Sequence, residues 1–144
     1  MIYKATEKDI PIIFDMALLL WKECIFEELK EEIEEIVHGN ESAIFIALYN
    51  NSAVGFAQVK MRHDYVEGTE SSPVGYLEGI YVKDQCRKQG YARELLKRCE
   101  KWAREQGCSE FASDCELNND VSLEFHLKTG FTEANRIICF ALGL

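Results

Sequence analysis

Residues 87–107 constrain the fold of this 144-residue chain more than any other stretch. A basic, glycine-bearing turn, Arg87-Lys88-Gln89-Gly90, leads into Ala92, Leu95, Leu96, Cys99, Trp102 and Ala103. Those six fall at i, i+3, i+4, i+7, i+10 and i+11, a single apolar stripe along an α-helix. Gly107 stands where a left-handed residue closes such a helix. A helix with one apolar stripe must bury it against a second layer. β-type runs flank it on both sides, at Val74–Val82 and Cys108–Asp114.

The rest of the chain extends the pattern. Ile2-Tyr3-Lys4-Ala5 alternates as a short strand does, and Thr6 with Asp9 marks a helix start with an acidic residue in the usual Glu or Gln position. An apolar helix runs on to about Trp21, with Pro11 placed near its first turn. A second helix carries Ile25, Leu29, Ile33 and Ile36/Val37 at helical spacing and ends at His38-Gly39-Asn40. Two β runs, Ala43–Tyr49 and Ala53–Met61, are divided by Asn50-Asn51-Ser52. Residues 64–73 read as a loop, Asn119–Thr129 as a helix, and Phe131 and Arg136–Leu142 as closing β runs. The expected architecture is α/β (α+β): a mixed central sheet of six to seven strands flanked by about four helices, in one domain spanning 1–144.

Composition narrows the function. A net charge of −9 argues against nucleic acid, which calls for clustered Lys and Arg, and suits cationic small molecules. Seven glutamates crowd between Glu23 and Glu35. No apolar run approaches a membrane span and the opening residues lack a signal-peptide pattern, so a cytoplasmic protein is expected. The cysteines at 24, 86, 99, 108, 115 and 139 lack metal-ligand spacing, so no metal is expected, and they read as reduced, mostly buried side chains.

The turn before the long helix is the first candidate site. A helix N-terminus offers unpaired N–H groups and a positive dipole end to a phosphate. Gly90 permits close approach, Ala92 keeps the helix start uncrowded, and Arg87 and Lys88 add charge. Arg87-x-x-Gly90-x-Ala92, following Gly79-Ile80-Tyr81-Val82, resembles the acyl-CoA-binding signature of the GNAT N-acetyltransferase superfamily. Asn119-x-x-Ser122-x-x-x-His126-x-x-x-Gly130-Phe131 is similar to that superfamily's fourth-helix signature, with His126 in a position usually held by Tyr. Segments at Arg62–Val66, Ser71–Val74, Leu77–Ile80, Ala112–Asp114 and Gly130–Arg136 resemble short Gram-negative aminoglycoside 6′-N-acetyltransferases; the likeness is poor from Cys24 to Asn50.

The resemblance implies acetyl-CoA as cosubstrate, held by Ile80, Tyr81, Val82, the turn Arg87-Lys88-Gln89-Gly90-Tyr91-Ala92, and Asn119, Ser122 and His126. The strand carrying residues 80–82 would splay from its neighbour and free backbone N–H groups for the thioester, with Gly79 marking the break. Glu78 and Asp114 would hold a cationic aminoglycoside and accept a proton from its 6′-ammonium; His126 would protonate the departing thiolate. Trp21 and Tyr65 could stack on sugar rings, and Glu133 could contact an ammonium group. A homodimer touching through residues 136–142 is also implied. Two alternatives stay open: a polyamine or protein amine as acceptor, and a CoA-binding regulatory module without turnover.

Overall fold

The computed structural model describes residues 1–144. Its elements are β1 (Ile2–Lys4), α1 (Ile10–Leu20), α2 (Phe26–His38), β2 (Ser42–Tyr49), β3 (Ser52–Arg62), β4 (Val74–Val82), α3 (Tyr91–Glu105), β5 (Phe111–Ser113) and α4 (Asp120–Lys128). Short 3-10 turns lie at Glu7–Asp9 and Asp84–Cys86. The strands form one sheet in the order β1-β2-β3-β4-β5, antiparallel through β4, with β5 parallel to β4. No helix is long and apolar enough to cross a membrane.

Period-two alternation in β2 separates two cores. Ile44 and Ile46 face α1 and α2, meeting Ile13, Met16, Leu29 and Ile33. Ala43, Phe45 and Ala47 face the other way, into the layer of Leu95, Leu96, Cys99 and Trp102 from α3. Both faces of the central strands are therefore covered, which accounts for six consecutive buried residues at the start of β2. The α3 stripe is buried as its spacing predicts, apart from half-buried Ala92. Past its end Gly107 takes φ 91, and the Cys108 N–H bonds the Ala103 carbonyl at 3.0 Å. The β2–β3 hairpin turns on Asn50 and Asn51, both left-handed at φ 48 and 62, a conformation asparagine tolerates. On α2 the glutamates point outward while Leu29, Ile33 and Ile36 point in; Ile25, expected on that stripe, instead precedes the helix and is exposed.

The C-terminal third departs from expectation. The sheet has five strands, not six or seven, and β5 is three residues long. Neither Phe131 nor Arg136–Leu142 forms a strand. A strand exists only by pairing with a neighbour, and within one chain this tail has none, although its composition is β-type. Ile138 and Phe140 are 80% and 91% exposed, and Cys108 is the last buried residue in the sequence. The cysteines are all unpaired, but only Cys99 and Cys108 are buried, so the expectation of mostly buried thiols does not hold.

Candidate active site

The site begins where β4 loses its regular pairing. Leu77 opposes Val59 and Gly79 opposes Gln58, so Glu78 is an extra residue bulged out of the ladder. On its other edge β4 meets β5 only at Gly75, Tyr76 and Leu77. Beyond Leu77 the strands part, and Ile80, Tyr81 and Val82 keep β3 as their only strand partner. The break thus centres on Glu78, one residue before Gly79. Gly79 answers a different demand: a Cβ there would lie 2.6 Å from the Trp21 ring. Trp21 rests against β4 at that point and packs on Phe56, ring centroids 5.9 Å apart.

The basic turn lies just beyond the end of this open edge. Gly90 caps α3 with φ 91, and Lys88 is also left-handed at φ 60. A Cβ on Gly90 would meet nothing within 4 Å, so the residue borders open space. The first helical bond runs from the Glu94 N–H to the Gly90 carbonyl at 3.1 Å, leaving the N–H groups of Tyr91, Ala92 and Arg93 without helical acceptors. Tyr91 and Ala92 pack partly on the α3 core. Arg87 folds back: its Nε donates to the Val82 carbonyl at 3.0 Å and its guanidinium pairs with Asp84 at 3.1 Å, bracing the turn against β4. Gln89 reaches the Gln85 carbonyl at 3.4 Å.

Asn119 is the N-cap of α4 rather than part of the helix. Its Oδ1 accepts the Ser122 N–H at 3.1 Å, leaving its amide NH2 as a free donor. His126 is engaged at both ring nitrogens. Nδ1 lies 2.7 Å from the Ser122 carbonyl and 3.3 Å from the Ser122 hydroxyl, and Nε2 lies 2.8 Å from the Ser113 hydroxyl. A carbonyl only accepts, so in the neutral ring Nδ1 carries the hydrogen and Nε2 accepts from Ser113. His126 presents no unengaged nitrogen, and a proton leaving it must pass through a serine hydroxyl.

Asp114 and Glu78 are linked through Arg62, which the sequence places in a stretch of family likeness without a role, and Tyr76, which carries no motif. Arg62 bonds both oxygens of Glu78, at 2.9 and 2.8 Å, and stacks over Tyr76, whose hydroxyl donates to Asp114. Burial, then the bond to Asp114, raises the Tyr76 phenol well above its ordinary value; hydrogen bonding to Glu78 raises Arg62 despite desolvation. Residues 76 and 78 alternate onto one strand face, a signal that could have placed Tyr76 beside Glu78. Its reach to Asp114 depends on the β4–β5 register, which leaves no local trace. Tyr65 is exposed on the loop after β3. Glu133 pairs with Arg136, which holds its carboxyl below the usual range. Arg62, Tyr65, Tyr76, Asp114 and the segment 131–137 line a trough of about 1040 Å³ beside β5.

Residues 10–131 match the Acetyltransferase (GNAT) family. The chain is 39% identical over 144 residues to the aminoglycoside N(6′)-acetyltransferase type 1 of Stenotrophomonas maltophilia, covering 99% of this chain and 93% of that protein. It is 41% identical over 122 residues to the Serratia marcescens protein of the same name, covering 84% of each. The solved structure of AAC(6′)-Iy in complex with the bisubstrate analog CoA-S-monomethyl-acetylneamine superposes with a TM-score of 0.96 at 33% identity, covering all of this chain and 98% of that one.

Proposed function

The chain belongs to the GNAT acetyltransferase family, and from that premise we propose that it transfers the acetyl group of acetyl-CoA to the 6′-amine of an aminoglycoside and so confers resistance. The observation that carries this reading is the parting of β4 from β5 beyond Leu77, beside the open start of α3 and within one contact network of two carboxylates. The residues fit the cosubstrate: Gly90 faces open space, and three N–H groups at the head of α3 lack helical partners. Tyr91 and Ala92 shape that helix start, and Lys88 adds charge to the left-handed turn. Gln89 and Arg87 brace it from behind. Asn119 offers its free amide donors to the pantetheine arm, and Ser122 its hydroxyl.

Bound acetyl-CoA supplies a thioester electrophile. On the open edge the backbone N–H groups of Ile80 and Val82 donate to the oxyanion that forms when the amine attacks, while the N–H of Tyr81 between them points to β3. Asp114 takes the proton the ammonium gives up, directly or through water, while Glu78 helps fix the acceptor. As the C–N bond forms the attacking nitrogen releases its second proton to water, and as the C–S bond breaks the thiolate gains a proton by way of the Ser122 hydroxyl from a protonated His126, which is left as the neutral ring. Trp21 walls the acceptor side; Tyr65 offers its exposed ring to a sugar face, and Glu133 a carboxylate to a further ammonium. No metal has a part in this scheme.

Free-thiol release from acetyl-CoA tests the reading across kanamycin, tobramycin, a gentamicin lacking a usable 6′-amine, spermidine and a lysine peptide. Turnover with the first two alone is expected. Turnover only with spermidine or the peptide would move the acceptor to a polyamine or protein amine, and CoA binding without any turnover would make the protein a regulatory module.

The working form we infer is a cytoplasmic homodimer of one catalytic domain, residues 1–144. The support is the exposed apolar tail at Ile137, Ile138, Phe140 and Leu142 beside a trough with room for a strand. Lone edges and apolar tails of this kind are covered by pairing. Ile138→Asp with Phe140→Asp should yield a monomer in sedimentation; an unchanged dimer would place the contact elsewhere.

A further inference from the structure

The acceptor reading leaves two side chains without a role, and the following inference rests on that reading. An amine attacks only in its neutral form, and each carboxylate beside an ammonium favours the charged form. Two free carboxylates would therefore hold the acceptor well and hinder its deprotonation. The structure does not present two. Arg62 grips both oxygens of Glu78, Nε to Oε1 at 2.9 Å and Nη2 to Oε2 at 2.8 Å, in the fork geometry that suits a carboxylate. The Glu78 side chain is only 20% exposed, so solvent screens this pair less than an open surface pair. The same guanidinium lies 3.4 Å from the centroid of the buried Tyr76 ring, and the Tyr76 hydroxyl donates to Oδ2 of Asp114.

One chain of contacts, Glu78–Arg62–Tyr76–Asp114, thus runs from the bulge on β4 to the end of β5. Its members differ in what they leave available. Glu78 has its charge offset by Arg62. Asp114 is fixed through Oδ2 alone, and Oδ1 remains for a proton or an ammonium. We propose that Arg62 and Tyr76 are positioning residues that leave the acceptor ammonium facing one carboxylate outside any ion pair, Asp114, with Glu78 held as half of a neutral pair. Arg62 sets the charge of the site, and Tyr76 sets the direction of its free oxygen.

Steady-state kinetics with kanamycin as varied acceptor, alongside calorimetric binding of CoA, tests this. Arg62→Gln exposes a second carboxylate: acceptor KM falls about three- to tenfold while kcat falls about tenfold, a combination that loss of folded protein does not produce. Glu78→Gln leaves an uncompensated cation and raises acceptor KM by a similar factor. The double variant restores a neutral pair, and its KM returns to within about threefold of wild type. Arg62→Lys keeps the charge and stays near wild type in KM. Tyr76→Phe lowers kcat several-fold with CoA affinity and thermal midpoint unchanged.

A rise in KM for Arg62→Gln, or additive losses in the double variant, overturns the charge assignment. An unchanged kcat for Tyr76→Phe overturns the role given to Tyr76. Should Arg62→Gln fail to fold, Glu78→Gln still decides, because an unchanged or lowered KM there contradicts the neutral pair. A wild-type enzyme silent with every aminoglycoside overturns the acceptor reading and this inference together; an active wild type with additive variants overturns only the inference.

Discussion

Replacing Gly90 separates two reasons for a glycine at the head of α3. One is room: a side chain would stand between the backbone and the bound phosphate groups. The other is backbone conformation, since Gly90 sits at φ 91. No protein atom lies within 4 Å of a Cβ built there, so a substitution meets no clash inside the molecule. Left-handed backbone costs an ordinary L-residue ~1–2 kcal/mol, which asparagine partly escapes and β-branched valine feels most. If the turn relaxes to shed that strain, the unpaired N–H groups of residues 91–93 lose their common direction. Affinity for CoA then drops by up to the strain itself, a factor of roughly 5–30.

The two reasons order the variants differently. Bulk at the ligand predicts that alanine is mild and that asparagine and valine are both severe. Backbone strain predicts asparagine mildest, alanine intermediate and valine worst. Calorimetric titration of CoA into the three variants reads the order directly, and we expect asparagine, alanine, valine. An asparagine variant as weak as valine would refute the strain argument, and CoA affinity unchanged in all three would mean the turn does not hold the cosubstrate.

Other perturbations probe the remaining parts. Gly79→Ala drives a methyl group into the Trp21 ring, so it should cost ~1–3 kcal/mol in denaturant unfolding and shift tryptophan emission; unchanged emission would mean Trp21 does not rest on β4. Asp114→Asn should lower kcat far more than acetyl-CoA affinity, and unchanged turnover would remove Asp114 from the proton path. Burial alone would raise the Asp9 carboxyl, yet bonds from the Thr6 N–H, the Tyr3 hydroxyl and the Thr6 hydroxyl hold it below its ordinary value. A depressed carboxyl contributes stability above its unfolded pKa, and that stability is lost as pH falls through the folded value. Wild type should accordingly lose stability more steeply than Asp9→Asn between about pH 4 and pH 2; parallel curves would refute this.

What was legible in the sequence was what local periodicity encodes. The α3 stripe, the Asn50-Asn51 hairpin, the β4 limits and the outward glutamates of α2 all depend on neighbours within a few residues, and the structure has them. The break in β4 could be expected near Gly79 but not placed at Glu78, because a bulge is a property of two paired strands. Gly79 itself answers to Trp21, an element away. Tyr76 gives no signal of its own, and Arg62 stands only in a stretch of family likeness without a role, until β4–β5 pairing brings Asp114 to the phenol. The closing strands failed for a related reason: Arg136–Leu142 has the composition of a strand and, within one chain, nothing to pair with.

The early end of the core also bears on how such a protein can change over generations. Because Cys108 is the last buried residue, a substitution among residues 109–144 other than at Phe111, Ala112, Phe125 and Phe131, which pack on the core, removes little packing within a single chain. Yet that stretch holds Asp114, the cap of α4, His126 and much of the trough beside the acceptor residues. Changes at Asp114, Glu133 and the outer wall of the trough are thereby separated from the buried core, whereas changes at Arg62, Tyr76 and Glu78 fall on the core strands themselves. Variants selected by a new drug can accumulate toward the C-terminus without first drawing on a thin stability margin.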